Sequence, residues 1–450
     1  MAARGEFSSR MGFVLAAAGS AVGLGNIWGF PTQVASNGGA AFVLVYIILA
    51  FLLAYPVLMA ELIIGRATRS NMVDALDKIS GSNRGNATIG RATGVLGFVT
   101  VSLILSFYAL VAGWMLSHFL QTISDIFGQD NISTWLVTSS FTRDILFSGI
   151  FLCLTASIVT GGVKQGIELW SVRLMPALFI IIVLLIIYVS TLDGAADGWK
   201  AYLLPNFSLI MEPDLLISAM GQAFFSMSLG VGTMLVYGSY VSKKENLPTL
   251  GASVALVDIG VAILAGMLII PAMYVALHNG VIIFSESGAL IEGPNLIFAV
   301  LPSLFETMGS VGVYVAFVFF ALMLIAALTS SISMLEVPVA YVVESKGIGR
   351  KRAVWTLTLI IFILSTTIAF NMDSLFGLVI DLTTKYSQPL LGLVLCIFAG
   401  WVWKRDQILD ELKQGNEQVE HSIFWKVWPW YVRFVCPVVI VIMFYRSITG

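Results

Sequence analysis

Charge is what this chain has least of. Asp, Glu, Lys and Arg make up 11% of its 450 residues and nearly cancel, leaving a net charge of -2. An ordinary soluble domain carries about 25%. Nothing here builds a basic face for nucleic acid. Histidine is equally scarce. His118, His278 and His421 stand far apart, with no His-Glu-x-x-His and no serine in a recognisable nucleophile motif, so the chain lacks the usual residues of a membrane hydrolase. Cys153, Cys396 and Cys436 are isolated within apolar stretches, which excludes a disulfide framework and leaves them as small hydrophobes.

Apolar sequence takes the place of charge: 58% of residues are hydrophobic, and the mean hydropathy is +0.92. A membrane-spanning helix needs about 20 such residues. Eleven segments qualify, centred near residues 23, 53, 107, 151, 180, 228, 263, 325, 360, 388 and 437. A barrel would show short alternating strands instead, so the chain reads as an all-α polytopic membrane protein. The first segment has no small-residue cleavage motif after a plain apolar run and is expected to be retained. With a cytoplasmic N-terminus, Arg66, Arg69, Lys78, Lys164, Lys243, Lys244, Arg350, Lys351 and Lys404 fall in or beside inside loops. Asp125, Asp130, Asp193, Asp197, Glu212, Asp214, Glu286 and Glu292 collect in the alternate loops, and eleven spans then place the C-terminus outside.

One segment is unfit to be a continuous helix. Ala18 to Pro31 carries four glycines, Asn26 and a terminal proline. Glycine costs about 1 kcal/mol against alanine in a helix interior, and non-helical backbone at membrane depth is tolerated only inside protein or beside a wet cavity. Gly23 and Gly25 therefore predict a break. Its freed carbonyls suit a cation, and the half-helix that follows aims N–H groups at an anion. Close helix packing would account for the glycines but not for Asn26. A second interruption, Gly221 to Thr233, falls in the sixth segment, five after the first. That spacing predicts two inverted five-helix repeats, residues 1–192 and 193–403, followed by a loop and an eleventh helix in 404–450. In the fifth segment Gly166 and Pro176 mark either a weak point or a tolerated kink.

At Gly19 to Pro31, Asn37-Gly38-Gly39, Gly221 to Tyr240 and Ala326-Ala327-Leu328-Thr329-Ser330-Ser331, the chain resembles the neurotransmitter:sodium symporter family, and within it the bacterial amino-acid transporters. Members commonly have twelve helices, one more than the pattern here. The resemblance implies sodium-coupled uptake of amino acids by alternating access across a bacterial plasma membrane, by a monomer or loose oligomer. Two Na+ ions would sit in oxygen cages, as a hard cation requires. The first cage would use the Ala21 carbonyl, Asn26, Ser226 and Asp258, completed by the substrate carboxylate. The second would use carbonyls of Gly19, Val22 and Ala326 with the hydroxyls of Thr329 and Ser330.

The same resemblance places the substrate carboxylate at the Leu24 and Gly25 amides and the Tyr108 hydroxyl, beside Ala21 and Ser226. Its amino group would meet carbonyls of Phe225 and Ser228, and its side chain Ile104, Phe225, Val231, Ser330 and Met334. Burying an apolar side chain there is worth about 1.5–3 kcal/mol, whereas a charged one would stay unpaired. Apolar amino acids are expected. Val231 is smaller than the family's aromatic and leaves room for Trp, Phe or Tyr. The family usually has Asn where this chain has Asp258, so a carboxylate supplies the charge that chloride supplies in relatives. Chloride independence is expected, with Asp258 protonated on the return step.

Phe225 and Tyr108 would lid the site from outside. Arg4 and Glu344 would latch it inside, with Phe7, Ser239 and Tyr240 around them. The family's outer arginine is here Gly29; Asp381 and Lys385 either substitute for it or neutralise each other one turn apart. A proton-driven or exchange transporter of the same fold is the alternative, with a receptor that moves nothing further behind.

Overall fold

The computed structural model describes residues 5–138, 140–284 and 296–449; Arg4, Glu286 and Glu292 lie outside them. Among the described residues the chain is helical throughout and no β-strand forms. Nine of those helices are long and apolar enough to cross a bilayer, from Ala40–Thr68 to Ile423–Arg446, and Arg10–Ala21 with Gly25–Ser36 forms a tenth segment bent by 54°. Pro213–Ser226 and Thr233–Gly238 flank the non-helical residues 227–232, and each half alone is too short to span.

The outward surface is apolar. Ile180, Leu184 and Ile187 recur at helical spacing along one exposed stripe of Leu169–Ser190, and Cys153 joins this outer face while Cys396 and Cys436 are buried. The polar groups turn inward: Asn26, Ser226 and Asp258 are all buried. This reversal of the soluble pattern is what a bilayer demands, because hydrocarbon solvates no polar group.

Both predicted breaks form. The first helix ends at Ala21, Val22 turns to an extended ψ of 98°, and the chain resumes through the wide turn Gly25–Gly29. Gly23 has to be glycine here, since a Cβ would run into Ser330 Oγ. In the second break Ser228, Gly230 and Gly232 have φ of 51°, 86° and 82°. Gly230 also meets its neighbour closely, a Cβ there falling 2.5 Å from the Gln388 carbonyl. Glu61, from Ala40–Thr68, secures this break. Its Oε1 accepts from Gly230 N at 2.7 Å and its Oε2 from Leu235 N at 3.1 Å, satisfying N–H groups that a helix start leaves bare.

Pro176 sits inside an unbroken Leu169–Ser190, and Gly166 lies in the wide turn Val163–Glu168 just before it. The amino-terminal segment is tied against this turn: Glu168 accepts from Ser8 N at 2.8 Å and Ser8 Oγ at 2.6 Å.

Candidate functional site

The two breaks face each other, and their side chains meet a third helix, Leu247–His278. Asn26 Nδ2 donates to Ser226 Oγ at 2.9 Å, to Asp258 Oδ1 at 2.8 Å and to the Asp258 carbonyl at 3.1 Å. Ser226 Oγ donates to Asp258 Oδ2 at 2.9 Å, and Tyr46 OH reaches Ser226 Oγ at 3.3 Å. Asp258 is thus fully buried, met by an amide and a hydroxyl but by no cationic side chain among the described residues. An ionised carboxylate in that position is costly until a cation or a proton joins it. Among the described residues no three His, Cys, Asp or Glu side chains cluster, so the donor set suits a hard alkali cation better than a transition metal.

The second set is built from backbone. Ser330 Oγ lies 3.3, 3.2 and 3.1 Å from the carbonyls of Gly19, Ser20 and Val22 at the end of the first helix. The Thr329 hydroxyl meets Ala326, another expected member of this set. It donates to Ala326 O at 3.0 Å and Ile325 O at 3.1 Å, bonding back to its own helix as hydroxyls in apolar helices often do.

Beside both sets is a cavity of about 30 Å³. Of the residues assigned to the substrate, Ala21, Leu24, Gly25, Ile104, Tyr108, Phe225, Ser228, Val231, Ser330 and Met334 line it together, while Ser226 does not and belongs with Asp258. Gly23, Val101, Thr233 and Gln388 complete the wall. The Tyr108 hydroxyl faces the Leu24 amide and the Ser330 hydroxyl, and it is buried without closing a hydrogen bond. A carboxylate is the kind of acceptor such a hydroxyl and amide would share. The expected amino-group acceptors are partly engaged: Phe225 O accepts from Ser228 N at 3.0 Å, and Ser228 O from Thr233 Oγ1 at 2.9 Å. The Phe225 carbonyl also takes the Met227 N–H, while the Ser228 carbonyl keeps a second lone pair.

The comparisons with known proteins point the same way. The model of the sodium:neurotransmitter symporter family matches residues 4–145 and 144–450. The chain belongs to this family. It is 34% identical to the sodium-dependent transporter YhdH of Bacillus subtilis (strain 168), over 98% of this chain and 97% of that one. To the sodium- and chloride-dependent taurine transporter of Bos taurus it is 26% identical, over 95% of this chain and 75% of the relative. A crystal structure of MhsT in complex with L-phenylalanine superimposes with a TM-score of 0.83 at 36% identity, covering 99% of this chain and all of that one. The protein is accordingly an integral membrane transporter of a sodium-dependent family and not an enzyme.

On one side of the cavity this symporter opens into a vestibule of about 690 Å³ lined by Trp28, Gly29, Asp214, Gln222, Lys385 and Arg446 among others. Leu24, Tyr108 and Phe225 line both spaces, so these residues form the wall between them. Lys385 pairs with Asp381 at 2.8 Å one turn away, the simpler of the two expectations. Gln222 donates to Gly25 O at 2.7 Å and stands next to Gly29.

The opposite side of the symporter is closed by a denser network. Phe7 N donates to Tyr240 O at 3.1 Å, Tyr240 OH donates to Glu336 Oε1 at 2.7 Å, and Arg350 holds Glu336 at 2.5 Å while donating to Val159 O. Glu344 accepts from Asn71 N at 2.8 Å; its expected partner Arg4 is outside the described residues. Glu336, Arg350 and Gln388 were not anticipated from sequence. Glu336 and Gln388 are polar residues within apolar segments, and that was the available signal.

Proposed function

We propose that the chain imports apolar and aromatic L-amino acids together with two sodium ions, by alternating access and without chloride. Asp258 carries this reading: a buried carboxylate joined to Asn26 and Ser226 supplies a fixed negative charge beside a cavity of amino-acid character. One ion would bind among Ala21, Asn26, Ser226 and Asp258, with the substrate carboxylate as a further ligand that couples the two. For this, the Asn26 amide turns its oxygen toward the ion. The other ion would bind the Gly19, Val22 and Ala326 carbonyls with Ser330 and Thr329, the Thr329 hydroxyl rotating inward from its own helix.

The substrate carboxylate would take the Tyr108 hydroxyl with the Leu24 and Gly25 amides, and the apolar wall would take the side chain. Two charges crossing 100 mV supply about 4.6 kcal/mol, enough for roughly three decades of accumulation. Phe225 and Tyr108 serve as the outer lid, and Tyr240, Glu344 and Arg4 belong to the inner latch.

The architecture proposed with it is a pair of inverted repeats, 1–192 and 193–403, an eleventh helix after them, the N-terminus in the cytoplasm and the C-terminus outside. Counting Pro213–Ser226 with Thr233–Gly238 as one interrupted span gives the eleven.

The test is uptake of labelled Leu and Trp into proteoliposomes with imposed sodium, potassium or proton gradients, chloride present or replaced by gluconate. Uptake that needs sodium and ignores chloride is expected. Uptake driven by protons alone would move the protein to the proton-coupled class, and collapse without chloride would remove the role given to Asp258.

A further inference from the structure

We propose that Gln388 selects among substrates: its carboxamide hydrogen-bonds the side chain of the bound amino acid, favouring bulky side chains that carry a neutral N–H or O–H donor. This rests on the cavity being an amino-acid site.

The side-chain oxygens of the cavity wall fall into two groups. Ser330 Oγ is engaged by the carbonyls that end the first helix, Ser228 Oγ donates to Ser20 O at 3.3 Å, and Thr233 Oγ1 donates to Ser228 O at 2.9 Å. Two atoms remain buried without a partner among the described residues, Tyr108 OH and Gln388 Oε1. Buried polar groups in folded proteins are nearly always paired, and the exceptions mark places where something else binds. Tyr108 stands by the first break, its hydroxyl 3.1 Å from where a Gly23 Cβ would be. That position is spoken for by the substrate carboxylate. Gln388 stands by the second break, its backbone packed against Gly230 and so next to Val231, among the residues assigned to the side chain.

Gln388 is 3% exposed and lies at the start of Gln388–Ile397, just after the wide turn Asp381–Ser387 and just before Pro389. Its backbone is set by that turn and by the close packing on Gly230, which puts its side chain on the cavity wall. A carboxamide oxygen accepts and does not donate, so the group that satisfies it must donate. A lysine or arginine would do so only by burying a charge that no carboxylate on this part of the wall neutralises. An indole N–H or a phenol O–H donates without charge, and the rest of either ring is apolar enough for Val101, Ile104, Val231 and Met334. A ring with no donor leaves Oε1 orphaned, which a site built around a hydrogen bond penalises.

The test is competition against labelled leucine bound to the purified full-length protein in sodium. The competitors are tryptophan and 3-(3-benzothienyl)alanine, which replaces the indole N–H by sulfur at nearly the same volume, with tyrosine and phenylalanine as a second pair. Tryptophan is expected to compete about tenfold better than its sulfur isostere in the unaltered protein, the worth of one hydrogen bond to a buried amide. In Gln388→Met, and in Gln388→Leu as an independent apolar replacement, that ratio should fall to about one. The ratio reports the contact itself, because a general loss of packing would weaken both competitors together. Equal competition in the unaltered protein, or a preference that survives both substitutions, would overturn the role of Gln388 while leaving amino-acid binding intact. Failure of leucine to bind the unaltered protein in sodium would instead overturn the amino-acid reading, and the assignment of Gln388 with it.

Discussion

The cluster at Asp258 and the cluster at Ser330 lie against the same broken first helix and are made of different materials. Around Asp258 the groups are side chains from three separate segments, mutually hydrogen-bonded and carrying one formal charge. Around Ser330 they are carbonyls at the end of one helix, gathered on a single hydroxyl from another. A site of carbonyls draws on the negative end of a helix dipole, which exists whenever the helix ends there. A site of side chains exists only when distant segments arrive together. The first kind is therefore sensitive to backbone shape, and the second to individual substitutions and to charge.

This contrast orders the expected effects of substitution. Asp258→Ala removes the one formal charge of its cluster and leaves Asn26 and Ser226 facing each other; sodium-driven uptake should fall by about a hundredfold or more, the scale of a lost charged hydrogen-bond pair. Retention of near-normal sodium coupling in that variant would mean that the charge contributes nothing and would erase the distinction between the clusters.

Asp258→Asn keeps the shape and deletes the charge, and sharpens the comparison further. Uptake in gluconate should drop about tenfold and recover when chloride is restored, because an external anion can then supply what the carboxylate did. A drop that chloride does not repair would place the defect in packing rather than charge.

Ser330→Ala leaves the carbonyls of Gly19 and Val22 in place and removes the hydroxyl they share. The sodium concentration for half-maximal uptake should rise about tenfold. Smallest is Thr329→Val. Its hydroxyl already bonds within its own helix, so the same measurement should shift by about threefold or less, the worth of a hydrogen bond that exchanges one partner for another. A Thr329 effect larger than that of Ser330 would reverse their proposed ranking.

Parts of this site could be read directly from the residues. Gly23 and Gly25 announced the first break because glycine in an apolar helix is expensive, and Gly230 and Gly232 announced the second in the same way. Ten of the residues that the family resemblance, rather than the residues themselves, assigned to the substrate share one cavity. Other features were invisible for a definite reason. Thr329 and Ser330 are adjacent and chemically alike, yet one hydroxyl turns to its own helix and the other reaches across to another; rotamer and neighbour decide that, not composition. Gln222 lies within the Gly221–Thr233 interruption, where composition marks it with no function, and its bond to Gly25 O across the fold gives it one. Glu336 is an acid within an apolar segment, and only the fold puts Tyr240 and Arg350 on it.

The sequence alone determined what depends on neighbouring residues and on solvent. Runs of about 20 apolar residues have to be helices in a bilayer because no other local structure satisfies their backbone there, and glycines within two of those runs determined where the helices stop. The tertiary structure decided everything that needs two distant segments at once. Asn26 reaches Asp258 across 232 positions and Ser226 across 200, and Gln388 joins the cavity wall with its backbone fitted against Gly230. Side-chain hydrogen bonds extend about 3 Å, so which polar groups meet is set by how the helices pack.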